Sequence, residues 1–265
     1  MIPSEQQRES FGQRGWLVLR NVVPPERLAD VTLAFDRLMS SFLSSGSAGP
    51  GLVQLPAVCR TDDVLLRHLR EGLAEFACHL IGARAMRLLQ DTLLLKAPST
   101  DGAVGLHQDY TYTGYLDSPA TVSISLALTD AAQQDGCVYV VDGSHKWGLV
   151  GGLQIFSSEL QQQIHELSPH QRRLIENAKV PLEVRGGDVT IHHCLTFHGS
   201  YPNTRAGLRK NIVTHLFDGD CRLVRARLPR EAEAWFETDG EGRVTGERFP
   251  ELYVRNAMSG RRVTP

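Results

Sequence analysis

The stretch Leu106-His107-Gln108-Asp109-Tyr110 decides how this chain is read. On an extended strand, side chains two apart share a face. His107 and Asp109 are therefore expected to point the same way, with Thr111 beyond them if the strand continues. One imidazole and one carboxylate on one face can take two neighbouring positions on a metal ion. A His-x-Asp alone is a common pattern, so its surroundings have to decide its meaning.

The complementary stretch is Gly187-Asp188-Val189-Thr190-Ile191-His192-His193-Cys194-Leu195-Thr196-Phe197-His198-Gly199-Ser200, which reads as a strand, a short connection and His198. Two histidines and one carboxylate that leave three positions open form the facial triad of non-haem iron oxygenases. Structural zinc sites instead close all four positions with protein groups. His192, His193 and His198 are the candidates for the third ligand. His192 and His193 are consecutive, so only one of them can face inward from a strand. Eleven residues after His198 stands Arg209, at the start of the apolar run 210–217. A keto acid bound to the metal would leave its far carboxylate buried, where an unpaired charge is costly. An arginine can hold it bidentately, and Ser200 can add a hydroxyl donor. Arg205 lies in the turn Pro202-Asn203-Thr204-Arg205, which favours solvent, and Lys210 takes the opposite strand face from Arg209.

Outward from these motifs, the chain from about residue 86 alternates short apolar runs with turns. The runs are 86–96, 104–109, 121–128, 137–141, 180–184, 189–194 and 210–217, separated by Asp135-Gly136, Asp142-Gly143 and Gly186-Gly187. Such a pattern predicts a mainly β sandwich or barrel. One helical insert, from Ser158 to about Asn177 and broken at Pro169, interrupts it. The first 85 residues read as a strand at 16–19 and two helices. The first begins at Pro24-Pro25 and carries Leu28, Val31, Phe35, Leu38 and Phe42 at helical spacing. The second is expected to be capped by Thr61, to run to about Ile81 and to end at Gly82. Between them, residues 44–51 are open to reading as a lid or as a plain surface connection. His68 and His79 read as packing or surface groups, and the polar tail from Pro229 shows only a turn at Asp239-Gly240-Glu241-Gly242.

The whole chain sets wider bounds. Its 265 residues carry no charge run or low-complexity linker, so a single domain is expected, with a helical part at about 1–85 and a β core at about 86–225. A net charge of −2 gives no footprint for nucleic acid or an anionic membrane. The five cysteines lack a C-x-x-C spacing and read as buried small hydrophobes in a reducing cytoplasm. The polar N-terminus reads as neither a secretory signal nor a membrane span.

With those residues in view, the sequence resembles the phytanoyl-CoA dioxygenase family of iron(II)- and 2-oxoglutarate-dependent oxygenases. The resemblance begins at Phe11-Gly12-Gln13-Arg14-Gly15-Trp16-Leu17-Val18-Leu19-Arg20 and passes through Leu94-Leu95-Lys96-Ala97-Pro98 to His107-Gln108-Asp109. It continues by Gly136 and Gly143-Ser144-His145 to His198-Gly199-Ser200 and Arg209. It implies a double-stranded β-helix, a cupin-like jelly roll flanked by helices. It also implies that His107, Asp109 and His198 hold iron(II), that Arg209 anchors 2-oxoglutarate with Ser200 as hydroxyl partner, and that O2 is consumed. Neither His192 nor His193 fits the family spacing to Arg209. Lys96 stands in a recurrent Lys-x-Pro segment without an assigned role. Asp142 departs from the family, which usually has proline before Gly-Ser-His.

The implied reaction is hydroxylation of a small organic metabolite, a natural product or amino-acid derivative, with release of succinate and carbon dioxide. Desaturation, epimerisation, cyclisation and demethylation are the alternatives at the same site. Halogenation is disfavoured, because related halogenases carry a small apolar residue where Asp109 stands. A metal-binding jelly roll without oxygenase activity is the reading from another class. Gln90, Tyr110 and Tyr112 are the candidate substrate contacts, with packing as the other role open to the tyrosines. His145 reads as structural, and His165, His170 and His215 have no supporting context.

Overall fold

The computed structural model describes residues 1–46, 51–98, 102–150 and 168–255. It opens with a helix that apolar periodicity does not announce. α1 (Glu5–Arg14) starts at Ser4, whose hydroxyl accepts from the Gln7 amide while the Gln7 side chain accepts from the Ser4 amide. This reciprocal capping box satisfies two donors that a helix start would otherwise leave orphaned. Phe11 is its buried residue. β1 (Trp16–Leu19) and α2 (Pro25–Ser44) fall where the sequence places them, and α2 buries Val31, Ala34, Phe35 and Met39. Residues 47–50 of the candidate lid loop lie outside the described residues.

β2 (Leu52–Pro56) precedes α3 (Asp63–His68). The cap of α3 is Asp62, which accepts from the Val64 and Leu65 amides, and not Thr61, whose hydroxyl donates back to the Val58 carbonyl. The expected single helix to Ile81 is also broken. Glu71 and Gly72 leave helical geometry, Gly72 at φ +109°, before α4 (Ala74–Ile81) resumes and Gly82 ends it. A left-handed residue without a Cβ interrupts a helix at little steric cost.

The strands β3 (Ala85–Lys96) and β4 (Val104–His107) lead into a one-turn helix, α5 (Tyr110–Thr113). β5 (Thr121–Ala127), β6 (Val138–Val141), α6 (Pro169–Asn177), β7 (Lys179–Leu182), β8 (Val189–His193), β9 (His198–Ser200) and β10 (Arg209–Asp218) follow. Of the expected insert from Ser158, the part before Ser168 lies outside the described residues. The tail forms a hairpin of β11 (Glu237–Thr238) and β12 (Val244–Thr245), then β13 (Glu251–Val254), which returns to pair with β3.

The main sheet has seven antiparallel strands in the order β1-β8-β5-β10-β3-β13, with β2 also on β3; a second sheet runs β4-β9-β6-β7. Along the edge opposite β10, β3 serves two neighbours, because β13 pairs with its first residues and β2 with its last. Alternation along the strands gives the main sheet two unlike faces. Val122, Ile124, Leu126, Val189, Ile191 and Ile212 pack with α2, α3 and α4 into the principal core. At about 1.5–3 kcal/mol per large side chain, this burial is the main force holding helices to sheet. The other face presents Thr92, Lys96, Ser125, His192, Arg209, Asn211 and His215 to a cavity whose far wall comes from β4, β6 and β9. Two such sheets with helices on one side form the expected double-stranded β-helix.

Candidate metal centre

The cavity between the sheets, about 280 Å3, brings His107, Asp109, His198, Ser200 and Arg209 together. β4 ends at His107, and β9 pairs with it so that His107 and His198 are cross-strand partners. Gly199 permits this pairing, since a Cβ there would lie 2.5 Å from Tyr139 Oη and 2.7 Å from the Val104 carbonyl. Asp109 reaches the site by a different route from the pleat expected of a continuing strand. Its backbone is helical (φ −59°, ψ −33°), and the chain turns into α5 directly after the strand. Thr111 is therefore not a further member of the ligand face and is exposed. Between the two ligands, Gln108 is buried. Its amide donates to the Gly148 and Leu195 carbonyls, and its oxygen accepts from the Val150 amide. That clamp holds the turn in place.

The donor atoms of His107, Asp109 and His198 lie within 4.8 Å of one another, and all three residues are buried. Asp109 Oδ1 is 3.4 Å from His107 Nε2 and 3.5 Å from His198 Nε2. The second nitrogen of each ring is committed: His107 Nδ1 donates to the Gly105 carbonyl at 2.8 Å and His198 Nδ1 to the Thr196 carbonyl at 2.9 Å. A carbonyl accepts only, so these bonds put the hydrogen on Nδ1 and leave each Nε2 lone pair facing Asp109 Oδ1. Burial, reinforced by His192 and His107, pushes the His198 imidazole well below its ordinary value and so keeps it neutral. Burial would raise the Asp109 carboxyl, but its histidine neighbours, His198 and His215 first, outweigh it and hold Asp109 well below the usual range. A neutral imidazole at His198 and an ionised carboxylate at Asp109 are protonation states that suit a divalent metal. The donor set, one oxygen and two nitrogens with an open side toward the cavity, fits iron(II).

The other carboxylate oxygen of Asp109 is also held. Ser123 donates to Asp109 Oδ2, and His192 Nε2 lies 3.3 Å from the same oxygen. His192 is thus the inward member of its pair, beside the ligands but outside the set of three. His193 packs instead against Phe11 and His145. His215, which has no context in the sequence, is brought to the site: its Nδ1 is 2.8 Å from Ser123 Oγ. A signal for it does exist in the chain. Arg209, Asn211, Val213 and His215 alternate along β10, and all four line the cavity.

The opposite end of the cavity is cationic. Arg209 and Lys96 are buried, and Lys96 is 1% exposed. Both donate to the Gly136 carbonyl. Gly136 has φ +79°, and a Cβ there would lie 2.8 Å from the Tyr201 carbonyl, so this cradle needs glycine. Among the described residues no carboxylate pairs with either cation. Burial, then Arg209, pulls the Lys96 ammonium down to about 7, and burial pulls Arg209 down to about 10. Ser200 Oγ accepts from Lys96 Nζ at 2.7 Å and from the Val104 amide at 3.1 Å. Both hydroxyl lone pairs are then used, and its own hydrogen remains to be donated.

The remaining candidates divide. Gln90 and Tyr112 line the cavity. Tyr110 does not line it; its hydroxyl donates to the Leu116 carbonyl, which makes it a packing residue of α5. Arg205 bonds Gln134, and Lys210 pairs with Asp36 on the far side of the sheet. Asp142, the departure from the family pattern, accepts from Arg14 Nε and Trp16 Nε1 and so ties the N-terminal segment to the turn before Ser144.

A cupin-like double-stranded β-helix whose cavity holds a His-Asp-His cluster at one end and buried cations at the other defines the class. The family model of phytanoyl-CoA dioxygenase (PhyH) matches residues 11–211, more than half of the chain, and the chain belongs to that family. It is 32% identical over 131 residues to phytanoyl-CoA dioxygenase 1 of Oryza sativa, a match covering 49% of this chain and 44% of the rice protein. It is 24% identical over 241 residues to the human peroxisomal phytanoyl-CoA dioxygenase, covering 83% of this chain and 70% of that one. Among solved structures it is similar to the α-ketoglutarate-dependent carbocyclase SnoK of nogalamycin biosynthesis, at 20% identity and a TM-score of 0.74, covering 95% of this chain and 97% of that one. The epimerase SnoN, solved with Fe3+, α-ketoglutarate and nogalamycin RO, is similar at 19% identity and a TM-score of 0.73, covering 94% and 98%.

Proposed function

We propose that the protein is an iron(II)- and 2-oxoglutarate-dependent oxygenase acting on a small organic molecule. His107, Asp109 and His198 are its metal ligands, and Arg209, with Lys96 and Ser200, is its anchor for the far carboxylate of 2-oxoglutarate. The observation that carries this reading is the pairing of two ends in one cavity. One end offers two Nε2 lone pairs and a carboxylate oxygen; the other offers two buried cations with no carboxylate partner among the described residues. A buried, unpaired cation is costly. A dianion reaching from the metal to Arg209 removes that cost, whereas a metal-binding jelly roll without oxygenase activity gives no reason for it.

When bound, iron(II) and 2-oxoglutarate supply oxygen activation, with succinate and carbon dioxide as products. The chain's own contributions are positional. The carbonyls of Gly105 and Thr196 fix the ring tautomers, Ser123 and His192 hold the free oxygen of Asp109, and the Ser200 hydroxyl and Arg209 receive the carboxylate. Hydroxylation is the favoured outcome, and Asp109 fills the position that a halide would need. Epimerisation and cyclisation stand as the alternatives, in keeping with the names of the two structural neighbours. Five buried thiols support a reducing, cytoplasmic setting, and the chain is read as one catalytic domain. Among the described residues no helix is long and apolar enough to cross a membrane.

The test is succinate formation from 2-oxoglutarate in air with iron(II), measured over a broad panel of small organic compounds. The expected result is iron-dependent succinate that falls to background in Asp109→Ala. Equal succinate with and without iron, or full activity in Asp109→Ala, contradicts the proposal.

A further inference from the structure

One polar row crosses the main sheet beneath Asp109. Gln90 on β3 is the register partner of His215 on β10, His215 of Ser123 on β5, and Ser123 of His192 on β8. The inner half of this row, Ser123 and His192, holds the metal ligand. The outer half is not occupied in that way. His215 and Gln90 both line the cavity, and Gln90 is exposed.

Hydrogen counting fixes what His215 presents. Ser123 has a single hydroxyl hydrogen, and the ionised Asp109 can only accept, so that hydrogen goes to Asp109 Oδ2. His215 Nδ1, 2.8 Å from Ser123 Oγ, must then be the donor of its own bond. With the hydrogen on Nδ1, the neutral ring offers Nε2 as an acceptor. No partner for that Nε2, and none for the Gln90 side-chain amide, is found among the described residues. Around them the wall is uncharged: Gln54, Thr92, Leu94, Tyr112 and Val213. Among the described residues, Lys96, Asp109 and Arg209 are the only lysine, arginine or carboxylate side chains lining the cavity, and the metal and the keto acid claim all three.

We propose that His215 and Gln90 are the substrate-recognition pair, and that the substrate is uncharged where it enters the cavity and carries a hydroxyl or N–H donor for His215 Nε2. This rests on the oxygenase reading and adds the substrate class to it. Gln90, which both donates and accepts, takes a second polar group of the same molecule. An ammonium, carboxylate or phosphate at this wall would find no countercharge among the described residues. The substrate class is therefore neutral hydroxylated or amide-bearing compounds, not amino acids or acyl-CoA thioesters entering head-first.

The experiment uses the iron-loaded full chain with 2-oxoglutarate and four sets of probes: neutral cyclic and aromatic alcohols, their methyl ethers, α-amino acids and acyl-CoA thioesters. Succinate formation above the rate without added compound is the readout. Stimulation is expected from alcohols, with kcat/KM about tenfold or more lower for the matched ethers, as expected when a site built for a hydrogen bond loses its partner. Equal stimulation by the ethers, stimulation by the charged compounds alone, or none by any set overturns the proposal.

Two variants separate recognition from support of Ser123. The amide nitrogen of Asn overlays Nδ1 of His, whereas the amide group of Gln overlays Nε2. His215→Asn is expected to raise KM for the stimulating alcohol about tenfold, with a smaller change in iron affinity, and His215→Gln to keep KM closer to the unmodified protein. An unchanged KM in His215→Asn, or equal losses in both variants, argues against a substrate contact. The visible charge-transfer absorption of the iron(II)–2-oxoglutarate complex under nitrogen needs no substrate. If it forms while the probes fail, the substrate inference is lost and the oxygenase reading stands.

Discussion

Ser123 and Ile124 are neighbours in β5, yet they belong to different parts of the molecule. Ile124 is 1% exposed and packs into the core beneath α2, α3 and α4. Ser123 is equally buried, but it faces the cavity and donates to Asp109. The same contrast runs along β10, where Ile212 and Leu216 join the core while Arg209, Asn211, Val213 and His215 line the cavity. One face of the sheet spends its burial on apolar contact. The other buries polar and charged groups that find much of their purpose only in ligands. Stability and function are thus written on alternate residues of the same strands.

Substitutions on the two faces should have unlike effects. Ile124→Ala should have the largest, a loss of about 2–5 kcal/mol of unfolding free energy in denaturant titration, with turnover per folded molecule little changed. Arg209→Met should cost about 2–5 kcal/mol of binding, roughly a 30-fold or greater rise in KM for 2-oxoglutarate, because it removes one partner of a buried charge pair. The melting temperature of the unliganded protein should not fall, since an unpaired buried cation goes with it. Ser123→Ala should weaken iron affinity by about 10–100-fold, the usual range for a residue that orients a ligand, and change stability far less than Ile124→Ala.

A further effect concerns pH. Lys96 is pulled from the ordinary lysine value of 10.5 to about 7 in the fold. Between those values the unfolded chain carries the extra proton, so this residue makes stability rise with pH across that window. Below about 7 both states are protonated and the slope vanishes. Melting curves of the unliganded protein from pH 7 to 10 should show a steeper rise than those of Lys96→Met; identical slopes would contradict the buried, unpaired ammonium.

The two faces are unevenly legible in the sequence. Short apolar runs and glycine turns reveal the strands, because period two is a local property. His107, Asp109 and His198 are legible from type and spacing, although the pleat reaches only to His107, where the strand ends. The helical turn that actually places Asp109 is set by the Gln108 clamp to Gly148 and Leu195, contacts distant in the chain. α1 is hard to see because it buries little beyond Phe11, so its only local mark is the Ser4–Gln7 capping box. His215 reads in the sequence as a lone histidine. Its partners lie on other strands, and only the alternation from Arg209 points to the face it shares. Lys96 has no legible role because its environment is made by Gly136, Ser200 and Tyr201, which chain order keeps apart.

In the proposed function, one cavity holds a metal at His107, Asp109 and His198 and a keto acid reaching to Arg209. The most direct measurement is anaerobic titration of the iron(II)-loaded protein with 2-oxoglutarate, followed by the visible charge-transfer absorption of the chelate. The expected band saturates at one equivalent, is absent in Asp109→Ala and requires far more 2-oxoglutarate in Arg209→Met. No band in the unmodified protein, or a band that survives Asp109→Ala unchanged, would contradict it.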